Sequence, residues 1–212
     1  ISASAGPFTL PSISGGTNML YIVAITVYSS NADPGTGPAP SDNPFTASIT
    51  GGGLTWDFIN GTRGCSSRIA EPNDEMWWAY GSPSAFQAVV TLEAATAAPG
   101  TTITIVRISG ASNAEPKNGV NANTLSNGGA CSGGADSTLV NITVTADATN
   151  EMIFVLVHPR NSAESAFTTD TSYTKIQFIA NTVGGNGVNQ GTYYLIAAGA
   201  GADLFNGTMT AT

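Results

Sequence analysis

The chain has 212 residues, 42% hydrophobic and only 9% charged, with 25 glycines, 11 prolines and a formal net charge of −8. Six basic residues against fourteen acidic ones cannot form a phosphate-neutralising stripe, which excludes nucleic acid as the expected partner. Scarce Lys and Glu leave long amphipathic helices without a wet face, and the most apolar run, Met19 to Tyr28, is too short to span a membrane and contains Thr26.

The first residue is Ile1, followed by a partly alternating segment to Leu10. This beginning fits an exported product whose signal has been removed. Met19 to Tyr28 is almost continuously apolar, β-branched or aromatic, the pattern of a central strand buried on both faces. Leu54 to Ile59 opens with the alternation of a half-buried strand, and Gln87 to Leu92 follows. Thr101 to Ser109 sets Ile103, Ile105 and Arg107 against Thr102, Thr104, Val106 and Ile108. Further strands are expected over Thr138 to Thr145, Met152 to His158, Tyr173 to Ile179 and Thr192 to Ala198, with a last one opening at Gly207 to Thr210.

Asn-Gly pairs at Asn60, Asn118, Asn127, Asn186 and Asn206 read as hairpin turns, and Gly51-Gly52-Gly53 and Pro99-Gly100 punctuate similarly. The one helical candidate is a single turn over Glu93 to Ala98, ended by Pro99. No linker or fixed-period repeat divides the chain. The expected fold is therefore all-β: residues 1–14 as an extended segment and residues 15–212 as a single antiparallel β-sandwich of roughly nine to eleven strands.

Two long loops are expected, Ser29 to Pro44 and Ala111 to Asp136. Cys65 and Cys131 both sit in loop-like surroundings without a CxxC pair, so they are disulfide candidates with free thiols as the alternative. A bridge would close a loop of about 66 residues, worth about 4 kcal/mol in the chain-entropy model.

Gly16 to Ile25 resembles the opening strand of jelly-roll sandwiches found in exported bacterial and archaeal surface proteins and in phage structural proteins. Ile49 to Trp56 is similar to their second segment, Glu75 to Pro83 to their third and Thr101 to Ala111 to their fourth. The resemblance implies a jelly-roll fold and a surface or particle context, and it carries no catalytic residues. Such domains close with a Trp-containing strand beyond the segment matching Thr208 to Thr212, where this chain stops. A sandwich lacking that edge offers unpaired backbone groups to a strand from a neighbour. Ten extended residues reach roughly 33 Å, enough to cross between copies. Ile1, Phe8, Leu10 and Ile13 are then the assembly residues of a donated strand, the alternative being that this segment pairs within its own chain. The expected function is a non-enzymatic, extracellular structural subunit that polymerises into a pilus-like filament. The alternatives are a carbohydrate-binding module or a virion or surface decoration domain.

Little in the sequence points to catalysis. The only histidine, His158, stands before Pro159 at a strand end, as a general base or ligand or as a histidine satisfied by backbone. Glu71, Asp74 and Glu75 form the densest acidic cluster. It reads as a plain turn, as a calcium site or as paired catalytic carboxylates, with calcium the one cofactor to consider. Trp56, Trp77, Trp78 and Tyr80 are candidate sugar-stacking or interface aromatics, with core packing as the alternative. Met76, Trp78 and Tyr80 share one face of their strand, Trp77 and Ala79 the other. Asn60, Asn141 and Asn206 each begin an Asn-x-Thr sequon, and Asn60, in its expected turn, is the most accessible.

Overall fold

The computed structural model describes residues 6–29, 46–62, 71–92, 100–112, 139–158, 164–169, 172–180 and 188–211. Among these are strands β1 (Phe8–Thr9), β2 (Met19–Ser29), β3 (Thr46–Thr50), β4 (Asp57–Thr62), β5 (Glu71–Gly81), β6 (Val89–Leu92) and β7 (Gly100–Ile108). They continue as β8 (Leu139–Ala146), β9 (Met152–Val157), β10 (Glu164–Thr169), β11 (Thr174–Ile179), β12 (Gln190–Ile196) and β13 (Gly201–Ala211). The described residues contain no helix, and so none long and apolar enough to cross a membrane.

Among the described residues all ladders are antiparallel, and they form four sheets. The first has the order β1-β6-β3, the second β4-β5-β2-β7, the third β11-β12-β9 and the fourth β10-β13-β8. Val23, Ile25 and Val27 of β2 pack on Ile49, Val90 and Leu92, joining the first sheet to the second. Val155 and Tyr193 pack on Ala146 and Phe205, joining the third to the fourth. Side-chain hydrogen bonds from β12 to β2 and β7 join the second to the third. The sheets therefore stack face to face in the order first, second, third, fourth.

This stack explains β2. Its odd-numbered side chains enter the first core, while Leu20, Ile22, Ala24 and Thr26 on the opposite face are also buried. A strand covered on both sides needs a continuous apolar run, which is what residues 19–28 supply. The described ladders pair strands within residues 8–108 or within residues 139–211. The interleaving of first and last strands expected of a jelly roll is not among them.

The turn at Gly51-Gly52-Gly53 needs glycine: all three have positive φ (129°, 66° and 64°), and the Leu54 amide donates to the Gly51 carbonyl. Other punctuation is corrected. Glu71 to Glu75, expected as a turn, is the first half of β5. Asn60-Gly61 lies inside β4 at a register shift, and Asn206-Gly207 lies inside β13. Gly61 is there for close approach, since a Cβ on it would lie 2.6 Å from the Asp74 carbonyl oxygen. Strands β3 and β10 carried no clear sequence pattern. The possible helical turn over 93–98, most of the two expected long loops, both cysteines and the other three Asn-Gly pairs lie outside the described residues.

Candidate functional site

The most densely bonded polar cluster described in the molecule lies between the second and third sheets. Thr26, Asp74 and Thr102 occupy one row of the second sheet, because Thr26 pairs with both Asp74 and Thr102. Thr104 lies one step along the same face. From the third sheet come Val188, Gln190 and His158, the residue directly after β9.

Gln190 is the hub. Its Nε2 shares two protons among the Ala24 carbonyl (3.2 Å), the Thr102 carbonyl (3.2 Å) and Thr26 Oγ1 (3.0 Å), while Thr104 Oγ1 donates to its Oε1. Carbonyl oxygens only accept, which fixes the amide orientation. Thr26 Oγ1 passes its own proton on to Asp74 Oδ1 at 2.7 Å. Thr102 Oγ1 donates to the Val188 carbonyl at 2.8 Å. His158 Nδ1 stands 3.4 Å from the same Asp74 oxygen, its side chain 1% exposed. Neither of its ring nitrogens makes a hydrogen bond among the described residues. The arrangement brings a half-buried carboxylate and a buried imidazole together beside threonine hydroxyls. Its hydrogen bonds tie the second sheet to the third.

The sequence pointed to Asp74 and His158 separately and gave no reason to pair them. Gln190, Thr26, Thr102 and Thr104 were not singled out. The available signal was threonine at alternating positions of a strand whose other side is apolar.

The acidic cluster does not converge. Asp74 faces the third sheet, whereas Glu75 faces the first core, where its Oε2 accepts from Trp77 Nε1 (3.0 Å) and the Thr46 amide (3.2 Å). Adjacent residues of a strand point to opposite faces, so Asp74 and Glu75 cannot share one calcium ion or act as a carboxylate pair. The Glu71 side chain lies outside the described residues. No group of three or more His, Cys, Asp or Glu side chains suited to a metal occurs among the described residues.

The aromatics are also divided. Trp56 and Trp77 pack against the first core, and Phe58 meets Trp77 edge-on with ring centroids 5.4 Å apart. Of the readings open for them, Trp56 and Trp77 follow core packing. Trp78 and Tyr80 are half-buried on the opposite face, the division that strand alternation predicts.

Of the two expectations for the N-terminal segment, the described residues follow pairing within the chain, where they complete the first sheet. Phe8 pairs with Val90, the Leu10 amide donates to the Ala88 carbonyl, and Ile13 exchanges backbone hydrogen bonds with Phe86. Leu10 is buried in the first core, and Arg107 donates to the Gly15 carbonyl at 2.7 Å. Its apolar side chains find their groove at home. Ile1 lies outside the described residues. Gly15 makes this seating possible, because a Cβ there would stand 2.1 Å from the Pro83 carbonyl oxygen. Gly15→Ala should lift residues 6–16 from their seat, cost about 1–3 kcal/mol in urea unfolding and expose the segment to limited proteolysis. Wild-type resistance in that variant would contradict the seating.

Of the sequons, Asn60 is half-buried inside β4 and accepts the Gly61 amide on its own Oδ1, so it is not in an open turn. Asn141 and Asn206 lie directly opposite one another on β8 and β13. No family model, curated protein or solved structure matches the chain.

Proposed function

We propose that this chain is a non-enzymatic structural subunit of an extracellular filament or related surface assembly, whose copies associate through sheet edges. The observation that carries this reading is the pair of long edge strands β7 and β8. Among the described residues β7 pairs only with β2, and β8 only with β13. They run for nine and eight residues, with Arg107 as the single charged side chain on the two. Monomeric β proteins blunt such edges with lysine, proline or extreme shortness, because unpaired N–H and C=O groups template another chain. Neither strand contains lysine or proline. The resemblance to exported surface and phage structural domains points the same way, as does a composition that relies on hydroxyls and amides for its wet surface. The seating of Phe8, Leu10 and Ile13 within the chain favours edge pairing over strand donation. The inward packing of Trp56 and Trp77 weighs against a carbohydrate-binding module.

The test is assembly of the full chain produced without glycosylation. Wild-type protein is expected to form high-molecular-weight polymers by sedimentation and negative-stain microscopy. The triple variant Ile108→Lys, Thr143→Lys, Thr145→Lys is expected to keep its β circular dichroism and remain at the 21.4 kDa of one chain. A monomeric wild type, or polymers unchanged in the triple variant, would overturn the proposal.

A further inference from the structure

We infer that Thr26 and Gln190 form a covalent ester, a self-made bond that clamps the second sheet to the third. Three observations meet at one buried point. Thr26 Oγ1 stands 3.0 Å from Gln190 Nε2, so with an amide C–N bond of about 1.3 Å it lies within about 4.3 Å of the carbonyl carbon Cδ. Its hydroxyl already donates to a base, Asp74 Oδ1 at 2.7 Å, inside the distance at which a nucleophile and its base work together. Thr104 Oγ1 donates to Oε1 of the same amide, the oxygen on which negative charge develops when the carbon is attacked. Nucleophile, base and oxyanion donor thus meet at one side-chain amide. They come from three strands, β2, β5 and β7, while Gln190 opens β12.

In the step, Oγ1 of Thr26 attacks Cδ of Gln190. The terminal amide torsion is broad, and turning it brings Cδ to the roughly 3–3.5 Å of a near-attack pair. The Oγ1–Cδ bond forms and the Cδ–Nε2 bond breaks. Asp74 takes the hydroxyl proton and returns it to the departing nitrogen, which leaves as ammonia. The balance needs no oxidant, reductant or co-reactant, and the chain acts on itself once. Thr26 is 0% exposed and Gln190 1%, so water is kept from the amide and from the finished ester. Escape of ammonia into solvent draws the exchange forward.

The bond joins residues 164 apart in the sequence and links a strand of the first sandwich to a strand of the second. Tension applied at the two ends of the chain then bypasses everything between Thr26 and Gln190. That use rests on the filament reading above; the bond itself does not.

The experiment is intact-mass and peptide mass spectrometry on the full chain, produced without glycosylation, then reduced and denatured. Wild type should weigh one ammonia less than its sequence. Digestion after lysine and arginine should yield residues 1–63 joined to residues 176–212, and hydroxylamine, which cleaves esters, should part them. Thr26→Val should keep the full mass and give the two peptides apart, while Thr26→Ser should restore the joined pair. Asp74→Asn should slow joining about 10²-fold or more and be recovered largely unjoined. A wild type of full sequence mass, an ammonia loss without joined peptides, or joined peptides persisting in Thr26→Val would overturn the inference. The wild-type result decides even where a variant fails to fold. Polymer formation is read separately, by sedimentation. A joined chain that stays monomeric therefore defeats only the proposed function, and an unjoined chain that polymerises defeats only this inference.

Discussion

Replacing Gln190 with leucine should uncouple the two sandwiches at a cost of about 2–4 kcal/mol, the range for stranding several buried polar groups at once. Leucine fills a similar volume, so the effect is not that of a cavity. What disappears is the single side chain that bonds Thr26, Thr104 and two main-chain carbonyls across the seam. Gln190 is only 1% exposed, so water cannot take its place without the layers parting. Each sandwich keeps its own apolar core, and the expected signature is therefore lost cooperativity. Urea unfolding should change from one transition to two, with a lower first midpoint. Gln190→Glu should be worse than leucine, because a carboxylate would face the Ala24 and Thr102 carbonyls that now receive the amide. One transition at the wild-type midpoint in both variants would show that the seam contributes nothing to docking.

The seam also shows where sequence reasoning reaches its limit. Continuous apolar β2 was legible because a strand covered on both faces has no polar option, and most other strands were legible from their alternation. Thr102 and Thr104 alternate with Ile103 and Ile105 just as a solvent-facing row would, yet both are buried. Period-two patterning separates the faces of a strand, but a polar face turned to water and one turned to another sheet's polar row give the same letters. Likewise, Pro72, Asn73 and Asp74 carry turn chemistry but lie in β5. The β4 ladder ends at Asp74, so Pro72 has a described partner on one side only and its missing N–H costs little there. Asn60-Gly61 misled for a different reason: that glycine serves close backbone packing rather than a left-handed turn. Of the candidate site residues, the sequence identified Asp74 and His158 by type, but their pairing depends on stacking two sheets whose strands are not neighbours in the chain.

Alkali should dismantle the second sandwich. Tyr173 and Tyr193 flank Phe205 at centroid distances of 4.9 and 5.4 Å, and burial pushes both phenols up from 10.0 to about 12, with the Asp203 charge adding to the rise at Tyr173. In the unfolded chain these phenols release their protons near pH 10, whereas the folded chain holds them to about 12. The folded state therefore binds more protons in that interval, and its stability falls as pH rises. Below pH 10 the contribution is fully present; through pH 12 it is lost, on the order of 2–4 kcal/mol for the pair. Unfolding followed by circular dichroism across this range should coincide with the appearance of phenolate absorbance from these two rings. The double variant Tyr173→Phe, Tyr193→Phe keeps the rings and removes the titrating groups, so its stability should decline far less over the same interval. Equal alkaline slopes in wild type and double variant would assign the loss to other groups. A flat wild-type curve would show that neither phenol is held in the folded core.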